Sequence, residues 1–241
     1  MTDAMDLADA YLALWNEADA AERRRRIAAL WAPDGTTSNR LIEARGYEAI
    51  EARVIGSWDK WLREGKYVFR PKHTVRHRDV VKFDWAMTTA PGGEVEARGL
   101  SFLVLNPAGR IAHDYQFNPT LNDADGLAQR YVAVWNEPDA EARRRAIAEL
   151  WAADGSHLSE ASVRQRHGAI EAEAREAFEA NAAKGLEFSS TESSQAHHNV
   201  ARIAWRLQAR ASGEPAAAGS SLLVLDERGQ IRFDYAFNEP I

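Results

Sequence analysis

Two heptapeptides 120 residues apart decide the fold of this chain: residues 11–17 read YLALWNE and residues 131–137 read YVAVWNE. The same offset relates residues 30–35 (LWAPDG) to 150–155 (LWAADG), and residues 114–118 (DYQFN) to 234–238 (DYAFN). No gap is needed between the first predicted helix and the last predicted strand. One register held over this length indicates a tandem duplication of a single folding unit.

The duplication predicts two domains, residues 1–120 and residues 121–241. The segment between them, residues 119–125, contains Pro, Asn and Asp and is too short to act as a long flexible tether. We therefore expect the two units to lie close together.

Each unit begins with helical patterns and ends with strand patterns. The first helix face is formed by Leu7, Tyr11, Leu14 and Trp15. Asp19, with Glu22 three positions later, predicts the start of a second helix whose apolar stripe ends at Trp31. A third helix is expected over residues 47–62, and strands over residues 74–77, 80–85, 100–105 and 111–117. The pattern predicts the α+β class, with three helices packed on an antiparallel sheet.

Composition restricts the classes of function. Hydrophobic residues make up 45% of the chain and charged residues 27%, as in soluble globular proteins. The absence of cysteine excludes disulfides and thiolate chemistry and favours the cytoplasm. An acidic N-terminus and the lack of a long apolar run argue against export and a membrane location. The net charge of −6 opposes binding to phosphate backbones, so we expect a small hydrophobic molecule and no nucleic acid.

The repeated motifs resemble the SnoaL-like group of the nuclear transport factor 2 superfamily, whose fold ketosteroid isomerases share. The resemblance rests on YxxxWNE, LWxxDG and DYxF and covers both units. It implies two conical barrels of the cystatin-like type, each with a strongly curved sheet around a pocket. Single-unit relatives usually dimerise through the sheet, which implies an intrachain pseudo-dimer and leaves larger oligomers open. Activities in the superfamily range from polyketide cyclisation and isomerisation to plain binding, so the fold leaves the reaction open.

Asp114, repeated as Asp234, is the candidate catalytic carboxylate. SnoaL-like cyclases resemble this chain in placing an acid/base carboxylate on a late strand, and a carboxylate in an apolar pocket has a raised pKa. Strand alternation puts Asp114 and Gln116 on one face and His113 and Tyr115 on the other. Alternation leaves two alternatives open: Asp114 faces the pocket, or it lies on the outer face and pairs across an interface between the units.

Histidines and aromatic residues supply the other candidates. His77, repeated as His197, is a second candidate acid/base, with a solvated surface histidine as the alternative. The tryptophans either pack the core or offer flat rings to a flat ligand. The candidate ligand-binding residues are Trp15, Trp31, Trp58, Trp61, His73, Trp85, His113 and Tyr115 in the first unit, and Trp135, Trp151, Phe178, His197, Trp205, Asp234 and Tyr235 in the second. Because Trp58, Trp61, His73 and His113 have no equivalents in the second unit, we expect the better site in the first.

Several other chemistries lack their motifs. No zinc-binding or nucleotide-binding pattern is present, so we expect no metal and no cofactor. The arginines of residues 23–26 and 143–145 are interpreted as solvated helix faces. Many relatives carry a carboxylate on the strand after the second helix, whereas residues 36–39 (TTSN) and 156–159 (SHLS) have none.

Together these features predict a cytoplasmic pocket protein that binds a small, largely apolar, carbonyl-bearing molecule. Acid/base chemistry, as cyclisation or isomerisation, would pass through Asp114 or His77. The alternative is a noncatalytic binding or assembly module.

Overall fold

The computed structural model of the chain describes residues 3–89, 93–117, 124–191 and 193–240. The chain divides into two compact units, Met1–Asn118 and Pro119–Ile241. Each unit combines helices with one sheet, which confirms the α+β class. Most of the predicted linker lies outside the described residues, and the pairing of the units through their sheets stays a prediction.

The helices of the first unit are α1 (Ala4–Trp15), α2 (Ala20–Leu30) and α3 (Gly46–Trp61). The side chain of Asp19 accepts a hydrogen bond from the Glu22 amide at 2.7 Å, which confirms the predicted start of α2. The prediction that the apolar stripe of α2 ends at Trp31 is wrong by one residue. The backbone of Trp31 is already extended, and this residue begins a strand.

The sheet of the first unit is antiparallel apart from one pair. Its strands are β1 (Trp31–Ser38), β2 (Glu43–Arg45), β3 (Tyr67–His77), β4 (Val80–Thr89), β5 (Val95–Leu105) and β6 (Ile111–Phe117), in the order β2-β1-β6-β5-β4-β3. Strands β1 and β6 run parallel. Parallel neighbours need a long connection, and α3 together with β3 to β5 provides it. Pro71 lies inside β3 at a shift of register, where a bulge tolerates proline.

The second unit repeats this order of elements. Its helices are α4 (Asp125–Asn136), α5 (Ala140–Leu150) and α6 (Arg166–Ala182), and its strands are β7 (Trp151–Leu158), β8 (Val163–Gln165), β9 (Leu186–Ser190), β10 (Gln195–His197), β11 (Val200–Ala209), β12 (Pro215–Leu225) and β13 (Ile231–Glu239). Strands β9 and β10 both pair with β11, so together they replace the single strand β3.

In each unit the core lies between the helices and one face of the sheet. In the first unit Tyr11, Ile50, Phe83 and Leu103 are buried there. A glycine at a matched position in each unit leaves room for a tryptophan ring. A Cβ atom added to Gly99 would lie 2.0 Å from Cζ2 of Trp85, and one added to Gly219 would lie 2.1 Å from Cζ2 of Trp205.

Candidate functional site

The parallel pairing of β1 and β6 brings Thr37 beside Asp114. The register shifts between Trp31 and Thr36, over Gly35, where a Cβ atom would lie 2.8 Å from the carbonyl oxygen of Ile111. Beyond this irregularity Thr37 and Asp114 share one face of the sheet. That face also carries Leu103, the partner of Asp114 on β5 and a member of the core beneath the helices.

The carboxyl group of Asp114 is fully buried and held by three donors. The hydroxyls of Tyr11 and Thr37 each donate to Oδ2 at 2.7 Å, and Nε2 of Gln116 donates to the same atom at 3.0 Å. The other oxygen, Oδ1, is buried and has no partner among the described residues. A buried carboxylate oxygen without a partner lowers the stability of the folded unit.

Burial raises the pKa of Asp114 from 3.8 to about 6. The hydrogen bonds from Thr37 and Tyr11, the charge of Arg53 and the hydrogen bond from Gln116 act in the opposite direction and favour the ionised form. Burial, with the charge of Asp114, raises the pKa of Tyr11 well above 10.0, so its phenol stays protonated as a donor. At neutral pH the carboxylate is therefore mostly ionised. Its pKa lies close to neutral pH, which suits a group that accepts and releases protons.

Two half-buried side chains connect this carboxylate to the surface of the unit. Gln116 donates to the Tyr11 hydroxyl at 2.8 Å and accepts a hydrogen bond from Nη2 of Arg53 on α3. The guanidinium of Arg53 lies 5.5 Å from the ring centroid of Trp15. The cluster thus extends from a buried anion to a partly exposed cation beside an aromatic ring.

The second unit places Asp234 in the same position with different partners. The Tyr131 hydroxyl lies 2.9 Å from Oδ2 of Asp234 and 2.9 Å from Oγ of Ser221. His157, at the position equivalent to Thr37, places Nδ1 2.7 Å from the same Oδ2. As in the first unit, Oδ1 of Asp234 is buried and has no partner in the described parts of the chain.

Residues 8–113 match the family model of the SnoaL-like domain. The match covers less than half of the chain, so the chain is similar to this family over these residues. The match ends one residue before Asp114 and covers most of the first unit. No curated protein matches the chain.

Solved structures with similarity to the chain each align with about half of it. One, named as an isomerase of the SnoaL-like family from Agrobacterium tumefaciens, is 28% identical, covers 49% of this chain and 98% of its own, and has a TM-score of 0.45. Another, named as a polyketide cyclase from Sinorhizobium meliloti, is 18% identical, covers 48% and 99%, and has a TM-score of 0.36. A third, a nuclear transport factor 2-like protein of unknown function from Exiguobacterium, is 20% identical, covers 46% and 95%, and has a TM-score of 0.37.

His77, the second candidate acid/base residue, is not part of the cluster around Asp114. His77 pairs with Val80, Val80 pairs with Val104, and Val104 pairs with His113. All four residues share the face opposite Asp114, as does Tyr115. His113 lies 2.9 Å from the Thr36 hydroxyl on that face, so it does not line the space around Asp114. The open choice between the two faces is thereby decided: Asp114 faces the helices.

The matched residues of the second unit follow the same division. His197 pairs with Val200, which pairs with Val224, and Val224 pairs with Phe233, on the face that also carries Tyr235. Asp234 points to the other face. His73 lies beside the bulge of β3 and is exposed.

The tryptophans divide into core residues and surface residues. Trp31 and Trp151 are fully buried, and Trp15 and Trp135 are nearly so. Trp85 and Trp205 are half-buried and meet Phe69 and Phe188 edge-on. Trp58 contacts Arg23 and Arg63, Trp61 is 38% exposed, and Phe178 is half-buried on α6. Of these residues, Trp15 lies beside Arg53 and Trp135 beside His157.

The arginine runs contain one buried member each, contrary to the solvated-face interpretation. Nη1 of Arg23 donates to the carbonyls of Glu17 and Ala18. Arg143 is 2% exposed and pairs with Glu171 at 2.8 Å. These arginines tie helix ends to the preceding loops, and the other members of each run are more exposed.

Sequence reasoning missed Thr37, Gln116 and His157 as members of the clusters and treated Tyr11 only as a core residue. One signal was available for Tyr11, because a polar hydroxyl recurs in both units at a position where leucine would fill the core equally well. The role of Thr37 and His157 depends on the parallel pairing, which the alternation pattern does not encode.

An open groove of about 520 Å³ lies on the second unit, away from Asp234. Its lining comes from α4 and β9, with Val132, Asn136 and Ser189 among its members. No predicted site residue lines it. In the described part of the chain, no helix is long and apolar enough to span a membrane, and no group of three metal-binding side chains is found.

Proposed function

We propose that the first unit is a cofactor-independent acid/base site acting on a small, largely apolar, carbonyl-bearing molecule. Asp114 would remove a proton from the carbon next to the carbonyl group and return it elsewhere, as isomerisation or cyclisation requires. One observation carries this proposal: Oδ1 of Asp114 is buried and unpartnered while Oδ2 is held by three donors.

The surrounding residues fit separate roles in such a reaction. Tyr11, Thr37 and Gln116 fix the orientation of the carboxylate, so the free oxygen is the one presented to a substrate. The positive charge of Arg53 favours an enolate, the anion formed when the carbon loses its proton. The apolar core around Trp15 and Phe83 suits a hydrophobic ligand and keeps the pKa of Asp114 raised.

We also propose a cytoplasmic location, because the chain has no cysteine and therefore no disulfide. The alternative, a noncatalytic binding or assembly module, is favoured by the same three hydrogen bonds, since they also suit a purely structural aspartate. The experiment has to separate these two functions.

The test measures deuterium exchange at the carbon next to the carbonyl of 2-tetralone, a flat bicyclic ketone, by NMR in D2O. The chain carries Asp234→Asn and His157→Gln, so that the matching polar pair of the second unit is removed. Adding Asp114→Asn should lower the protein-dependent rate by about 10² to 10⁴, the usual contribution of a general base. In the chain that retains Asp114, the exchange rate should rise as the pH increases through about 6, because only the ionised carboxylate accepts a proton.

Asp79→Asn is the matched control, because it removes an exposed carboxylate from the same unit. It should leave the rate unchanged. Equal rates with and without Asp114 would instead support the noncatalytic module.

A further inference from the structure

The pair formed by His157 and Asp234 has no equivalent in the first unit. His157 is 6% exposed and its Nδ1 lies 2.7 Å from Oδ2 of Asp234. Among the described residues, the hydrogen bond recorded for this ring is the one at Nδ1, and Nε2 is the second ring nitrogen. When the imidazole is neutral, a proton on Nδ1 is shared with the carboxylate and the lone pair is left on Nε2.

One aromatic ring lies against this histidine on the core side of the unit, and two further rings continue from it. The Trp135 ring centroid lies 4.9 Å from that of His157, and Phe188 lies 6.3 Å from Trp135. Trp205 meets Phe188 edge-on at 5.4 Å. Flat apolar walls beside one free basic nitrogen suit a flat, apolar ligand with an acidic C–H group.

Three charged groups shift the pKa of His157, and Tyr131 bonds the same carboxylate, each from a different element. Asp234 lies on β13, Tyr131 on α4, Glu173 on α6 and Arg164 on β8. Burial alone lowers the pKa of His157, but the charge and hydrogen bond of Asp234, with the charge of Glu173, outweigh burial and raise the pKa above 6.5. Arg164 acts against them and is itself paired with Glu173 at 3.1 Å.

We propose that the second unit holds a separate proton-transfer site in which Nε2 of His157 is the base and Asp234 orients the imidazole. Its substrate class is a flat, apolar carbonyl compound. Nε2 takes a proton from the carbon next to the carbonyl, so a C–H bond breaks, an N–H bond forms and the electron pair moves to the carbonyl oxygen. The imidazolium then returns a proton to a carbon of the enolate, and the neutral base is restored.

This site does not depend on Asp114, so it is tested in a chain carrying Asp114→Asn. The probe is again 2-tetralone in D2O, and the protein-dependent exchange that remains is that of the second unit. Adding His157→Gln should lower this remaining rate by about 10²-fold or more. His198→Gln, which changes an exposed histidine of the same unit, is the control and should leave the rate unchanged.

The pH profile distinguishes the two units. Exchange by the second unit should rise above pH 6.5, through the raised pKa of His157, whereas exchange by the first unit rises through about 6. Loss of all exchange in the Asp114→Asn chain overturns the second site and leaves the proposed function of the first unit intact. Exchange that His157→Gln leaves unchanged also overturns it.

A measurement on the unaltered protein covers the case in which His157→Gln fails to fold. Long-range 1H–15N correlation spectra report which ring nitrogen of a neutral histidine carries the proton. The proposal requires His157 to carry it on Nδ1 at high pH. A proton on Nε2 overturns the proposal, since the base would then have no free lone pair.

Discussion

The two units share a skeleton but differ at three matched positions around the same buried carboxylate. Asp114 and Asp234 both receive a tyrosine hydroxyl, from Tyr11 and Tyr131. The remaining neighbours differ between the units. In the second unit His157 replaces Thr37, Glu173 replaces Arg53 and Ala236 replaces Gln116. The first unit therefore surrounds its carboxylate with neutral donors and one cation, and the second pairs it with a histidine near an acid.

This difference shows that the fold and the charge around the carboxylate vary independently within one chain. The tyrosine, the aspartate and the glycine under each tryptophan hold the architecture, and they are identical in the two units. The residues that set the charge of the cluster lie on β1, α3 and β6, or on their counterparts β7, α6 and β13. None of them belongs to the apolar core, so we expect changes at these positions to alter the charge around the carboxylate and to leave the core intact.

The largest expected change in stability comes from Asp114→Asn. The pKa of Asp114 in the folded protein, about 6, lies above its unfolded value, so folding takes up a proton between these pH values. The stability linked to this proton is lost as the pH rises through about 6. At pH 8 Asp114→Asn should therefore raise the free energy of unfolding by up to about 3 kcal/mol, and at pH 4 the gain should fall to about 0.5 kcal/mol.

Urea denaturation of the two proteins at both pH values measures this difference. Asp79→Asn, at an exposed position, is the control and should show no such pH-dependent gain. A loss of stability at pH 8 would mean that the hydrogen bonds from Tyr11 and Thr37 outweigh the cost of burying the charge.

The shared part of the comparison is tested by Gly99→Ala and Gly219→Ala. Each new Cβ atom would collide with a tryptophan ring, at 2.0 Å from Trp85 or 2.1 Å from Trp205. Overpacking of this kind costs about 1–3 kcal/mol. Gly219→Ala should cost more, because the carbonyl oxygen of Phe237 also lies 2.4 Å away.

Gly56→Ala in α3 is the matched control for these changes. No heavy atom lies within 4 Å of its added Cβ atom, so it should stabilise the helix by about 0.5–1 kcal/mol. Thermal denaturation measures all three variants. If Gly99→Ala is as stable as the original protein, the two units do not share the packing described above.

The smallest expected effect concerns His157→Thr, which gives the second unit the residue of the first. Because Asp234 raises the pKa of His157, the stability linked to its proton is fully present below pH 6.5 and is lost as the pH rises through the raised value. The variant should therefore lose about 1 kcal/mol more at pH 6 than at pH 9, the gap between a charged and a neutral hydrogen bond. Urea denaturation at the two pH values checks this, and a pH-independent loss would contradict the ion pair.

Local features of the fold could be predicted from sequence because they depend on near neighbours. Asp19 caps α2 through an amide three residues away, and β6 spans the residues that alternation indicated. The repeat register also placed every element of the second unit once the first was assigned, except that β3 is divided into β9 and β10. The family resemblance, carried by the same repeated motifs, is confirmed for residues 8–113.

The composition of the site depended on contacts between residues far apart in the chain. Asp114 was a candidate from its repetition, but its orientation required Tyr11, 103 residues away, and Thr37, 77 residues away. Alternation shows which residues of one strand share a face, but it does not relate the face of His77 on β3 to the face of Asp114 on β6. Their separation onto opposite faces follows from the pairing of β3, β4, β5 and β6.

A pattern of residues along the chain thus specified the elements and their repetition, because helix caps, apolar periods and turns are local interactions. The folded structure alone decided which carboxylate oxygen is free and which residue raises or lowers a pKa. The physical reason is that burial and charge act through space. The environment of Asp114 is created by a helix, a parallel strand and an arginine that no local pattern connects to it.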